Sequence, residues 1–67
     1  MTKRSTRNKL RAQGFEAEAD LKRAQNHLVQ LGALADERSK YIDDNLPVIV
    51  TTLDILITTV ERFNEGL

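Results

Sequence analysis

The chain has no cysteine and no tryptophan, a single histidine, a single proline and three glycines. Each shortage removes a class of explanation. Without cysteine there is neither a disulfide staple nor a thiolate metal site. His27 alone makes no cluster of soft ligands. Glycines scattered at positions 14, 32 and 66 do not form a phosphate-cradling loop. No Ser–His–acid constellation stands out either, so catalysis, a cofactor and a small-molecule substrate are not expected. The longest apolar run, 46–57, is too short to span a membrane, and Asp54 interrupts it. The basic N-terminus is followed by no apolar segment of the kind a secretion signal needs. A cytoplasmic protein without a membrane partner is the expectation.

What is present is charge and aliphatic residues in a chain of 67. A domain this short buries only about 60% of its unfolded surface and usually needs a staple. With disulfides and metals removed, oligomerisation is the staple left. Ten basic residues balance ten acidic ones, but unevenly. Lys3, Arg4, Arg7, Lys9 and Arg11 stand in the first eleven residues with no acid among them. Residues 1–13 therefore read as a flexible basic arm, with Gly14 as its joint to a single helical domain over 14–67.

The pattern predicts an all-α antiparallel hairpin. A long helix over about 15–42 is rich in Glu, Ala, Leu, Lys, Arg and Gln, all good helix formers. Its stripe runs through Ala17, Leu21, Ala24, Leu28, Leu31, Ala35 and Ile42, with Arg38 the polar exception. Leu21, Ala24, Leu28, Leu31, Ala35 and Ile42 are the candidate intrachain packing residues. Acids at 16, 18 and 20 and bases at 38 and 40 would suit the dipole of such a helix. Gly32 is either a close-packing position or the end of a first segment, which would make three helices. Asp43-Asp44-Asn45-Leu46-Pro47 is the strongest local punctuation, so a turn is placed at 43–46, with Asp44 or Asn45 as cap and Pro47 in the next first turn. The second helix then covers about 47–65. Its β-branched content resembles a strand, but its alternation is poor. A seven-residue reading instead places Leu46, Ile49, Leu53, Leu56, Val60, Phe63 and Leu67 on one stripe.

Val50 and Ile57 widen that stripe beyond what one thin Leu/Ala helix can cover. Leu46, Ile49, Val50, Leu53, Leu56, Ile57, Val60 and Phe63 are thus the candidate oligomer interface. A dimer of hairpins forming a four-helix bundle is the simplest closed solution, ahead of a trimer or larger ring. A different protein could instead be the partner on that face. The functional expectation is a structural or interaction protein: an assembly, adaptor or regulatory module. The alternative is a small nucleic-acid-binding regulator using Lys3, Arg4, Arg7, Lys9 and Arg11 on phosphates. It ranks lower because no aromatic is interleaved with them.

Several polar residues have a bland reading beside a functional one. Asp43 and Asp44 fit a solvated turn better than a metal site. His27 fits an interface rim better than a pH sensor. The Thr51-Thr52 and Thr58-Thr59 pairs fit hydroxyls bonded back to their own helix better than a ligand row. Asp54 and Glu61, seven apart, either form a solvated strip or reach Arg38, Lys40 or Arg62 across a two-fold axis.

Overall fold

The computed structural model describes residues 4–67, with side chains from Thr6 onward. It consists of two α-helices, α1 over Arg4–Ala35 and α2 over Lys40–Glu65. No strand occurs among the described residues. Gly14 lies against Asn64 and Gly32 against Leu46, so the helices are antiparallel and form a rod 55 Å long.

The turn lies at 36–39, not at 43–46. Asp36 and Glu37 end α1 in the left-handed region, with φ of 49° and 59°. The Arg38 amide donates to the Ala35 carbonyl at 2.9 Å. Ser39 then caps α2: its hydroxyl accepts from the Ile42 amide at 3.3 Å, and its carbonyl from the Asp43 amide at 2.9 Å. Five consecutive polar residues, 36–40, can leave the helix without exposing apolar surface. Turning there also frees Ile42 and Leu46 to extend the apolar stripe of α2. Pro47 consequently sits inside α2 rather than in its first turn.

The start of α1 departs from the sequence reading as well. The helix begins at Arg4, so residues 4–13 are continuous with it and do not form a separate segment joined at Gly14. α1 also passes unbroken through Gly32 to Ala35. With these boundaries α1 has no acid in its first turn and no base in its last, so the expected dipole support for it is absent. α2 has that support, from Asp43 at its start and Arg62 at its end.

The packing seam follows a strict four-three alternation. On α1 it comprises Gly14, Glu18, Leu21, Gln25, Leu28, Gly32 and Ala35; on α2 Leu46, Val50, Leu53, Ile57, Val60, Asn64 and Leu67. All are half-buried except Ile57, which is buried at 6% exposure. Each seam sits one row away from half of the stripe read from the sequence. On α2 rows 50, 57 and 64 replace 49, 56 and 63; on α1 rows 18, 25 and 32 replace 17, 24 and 31. The glycines explain the choice. A Cβ at position 32 would stand 2.7 Å from Leu46 Cδ2, and one at position 14 would overlap Asn64 Oδ1. Facing the seam, both glycines let the backbones approach closely.

A candidate interaction surface

The two sides of the seam differ in chemistry. One flank is closed by polar bonds between the helices. Lys22 Nζ donates to Glu18 at 3.1 Å and to Glu61 at 3.3 Å. Gln25 Nε2 donates to Asp54 at 3.0 Å and to the Val50 carbonyl at 3.4 Å. Asp54 and Glu61 therefore find partners within their own chain. At the open end of the rod Asn64 Nδ2 donates to the Gly14 carbonyl at 2.9 Å and to Glu18 at 3.1 Å, while Arg11 Nε donates to the Leu67 carbonyl at 2.9 Å. Hydrogen bonds from Lys22 and then Asn64 hold the Glu18 carboxyl below its ordinary range. The same carboxylate and then Glu61 push the Lys22 ammonium up.

Among the described residues the other flank has no such bonds. The α1 row just before the seam positions is Leu10, Ala17, Ala24 and Leu31. The corresponding α2 row is Ile42, Ile49, Leu56 and Phe63. In an antiparallel pair these rows fall on the same side of the seam. Near the turn they meet in a groove of about 190 Å³, where Leu31 stands beside Ile42, Ile49 and Tyr41. Leu56 remains 43% exposed and Phe63 67%. The apolar character continues around α2 through Tyr41, Val48 and Ile55, all exposed. Between them Thr52 and Thr59 turn their hydroxyls back to the carbonyls of Val48 at 2.7 Å and Ile55 at 2.8 Å. Bonded in this way, the threonines leave their methyl groups to the surface.

The residues expected at an oligomer interface are divided by this geometry. Leu46, Val50, Leu53, Ile57 and Val60 pack within the chain, and Ile49, Leu56 and Phe63 face outward. Of those expected to pack within the chain, Leu21, Leu28 and Ala35 lie in the seam and Ile42 is half-buried beside it, whereas Ala24 and Leu31 belong to the exposed apolar flank. Gln25 and Asn64 join the helices although no sequence signal singled them out. Asn64 stands opposite Gly14, and Gln25 shares the α1 row of Gly32.

His27, Asp43 and Asp44 are exposed. Arg7 and Lys9 are exposed on the first turns of α1. Lys3 lies outside the described residues, as does the side chain of Arg4. Among the described residues no three His, Cys, Asp or Glu groups converge to hold a metal, and no helix is long and apolar enough to cross a membrane. Neither a scan of protein-family models nor searches of curated proteins and of solved structures returned a match for this chain.

Proposed function

We propose that the protein is a non-enzymatic assembly module that self-associates through its apolar flank, with two hairpins closing into a four-helix bundle. One observation carries this reading: one side of the seam is fastened by Lys22–Glu61 and Gln25–Asp54, while the other presents Leu31, Ile49, Leu56 and Phe63 to solvent. A hairpin in which Ile57 is the only buried side chain among the described residues has little core of its own. Covering half-exposed Leu, Ile and Phe side chains contributes about 1 kcal/mol each at ~25 cal/mol per Å². Four or more such residues per chain, counted twice in a dimer, are of the size needed to offset the entropy of association. The proposed interface is Ile49, Leu56 and Phe63 from α2 with Leu10 and Leu31 from α1.

The test compares two aliphatic residues of similar exposure on opposite flanks. Leu56→Glu places a charge on the apolar flank, and Val29→Glu places one on the polar flank. Size-exclusion chromatography with light scattering is expected to give an oligomer for the parent and for Val29→Glu, and a monomer for Leu56→Glu. Loss of the oligomer in both variants, or in neither, would reject this surface. The basic residues of α1 also suit a nucleic-acid regulator, but no second feature of the molecule supports that reading.

A further inference from the structure

We infer that the hairpins pair antiparallel, the turn of one protomer beside the open end of its partner. This rests on the self-association proposed above and adds the identity and direction of the occupant. The rod is electrically polar along its 55 Å length. At the open end Arg7, Lys9, Arg11 and Arg62 outnumber Glu16, Glu18 and Glu65. At the turn end Asp36, Glu37, Asp43 and Asp44 outnumber Arg38 and Lys40. The basic end also projects. Arg11 meets Leu67, two residues past the end of α2, so residues 4–10 of α1 run about two turns beyond that helix.

A two-fold axis through the apolar flank can lie along the rod or across it. Along the rod, the two basic ends stand side by side, as do the two acidic turns. Across the rod, each basic end meets an acidic turn, and the projecting turns of α1 gain a partner surface. Complementary ends fix orientation in this way because juxtaposed like charges are disfavoured. The size is also suitable. A flank 55 Å long and 16 Å wide offers ~900 Å², close to the roughly 800 Å² each partner buries in a stable dimer. A second copy supplies both the apolar rows and the opposite charges that this face requires.

Dipolar electron-spin distance measurement tests the arrangement. The chain has no cysteine, so a single introduced thiol takes one nitroxide label. Leu34→Cys marks the turn end at a position 84% exposed, on the row next to Leu31. Gln13→Cys marks the open end. In an antiparallel dimer labelled Leu34→Cys protomers are roughly 40 Å or more apart, whereas mixing the Leu34→Cys and Gln13→Cys proteins gives a short distance of about 25 Å or less. Raising the salt concentration well above physiological is expected to weaken the dimer several-fold. A short Leu34–Leu34 distance, or a dimer indifferent to salt, overturns the antiparallel arrangement and leaves self-association standing. Absence of any dipolar coupling from a monomeric protein overturns both.

Discussion

Replacing Pro47 with alanine separates a turn at 36–39 from one at 43–46. With α2 starting at Lys40, Pro47 is the eighth residue of the helix. There it lacks the amide that would donate to the Asp43 carbonyl, and its ring crowds that carbonyl. Proline in a helix interior costs about 3 kcal/mol relative to alanine. Some of this is offset because proline also restricts the unfolded chain, by about 0.4–1 kcal/mol. Pro47→Ala is therefore expected to stabilise the fold by ~2 kcal/mol. For a domain of this size that corresponds to roughly 8–16 °C in Tm. Pro47 is exposed at the edge of the seam, beside Leu46 and Gly32, so the substitution removes little packing. The assay is thermal unfolding followed by circular dichroism at one fixed protein concentration, because any self-association makes Tm concentration-dependent. Had the helix begun at Pro47, proline would occupy a favoured first-turn position and alanine would be neutral or destabilising. An unchanged or lowered Tm would thus refute the boundaries of α2.

Three further outcomes test the seam and the turn. Gly14→Ala is expected to destabilise by about 1 kcal/mol, since the new Cβ displaces Asn64 from two hydrogen bonds and outweighs the ~1 kcal/mol gain in helix propensity. In an Asn64→Ala background the same substitution should become stabilising, and a urea titration of the four proteins checks the reversal. Glu37→Gly should stabilise by about 0.5–1 kcal/mol, because glycine accepts the φ of 59° without strain, and its urea midpoint should rise. Glu18 gives the stability an acid limb: its carboxyl is depressed in the fold, so its contribution is complete above the ordinary Glu value of about 4.3 and is lost as pH falls through the lower folded value. Lys22 acts oppositely, contributing below the ordinary Lys value of about 10.4 and losing that contribution as pH rises through its raised folded value. Glu18→Gln should flatten the acid limb of Tm against pH, and an unchanged profile would remove Glu18 from the network.

The helical class and the hairpin were legible in the amphipathic pattern, because helix periodicity survives the β-branched content of VIVTTLDILITTV. The turn was not. Asp43-Asp44-Asn45-Leu46-Pro47 has strong local turn chemistry, whereas 36–39 contains neither glycine nor proline and uses two non-glycine residues at positive φ. Its signal was Ser39 within a polar run, an N-cap whose value depends on where Ile42 and Leu46 must point. Seam and flank were confused for a related reason. Rows 49, 56, 63 and rows 50, 57, 64 are adjacent, and hydrophobicity favours the first, which carries Phe63 where the second carries Asn64. Packing favours the second, because Asn64 has Gly14 opposite it and Ile57 reaches the centre of the seam. An apolar row displaced from the seam is therefore available at the surface. The excess breadth of α2 was readable from Val50 and Ile57; which residues supply the surplus required the pairing of both helices.

Sedimentation equilibrium of the parent protein over the micromolar range addresses self-association most directly. A mass approaching twice that of the chain is expected, falling toward one chain mass on dilution. A fully helical species that keeps the mass of a single chain at every concentration would contradict it, because Leu31, Ile49, Leu56 and Phe63 would then remain exposed in a stable monomer.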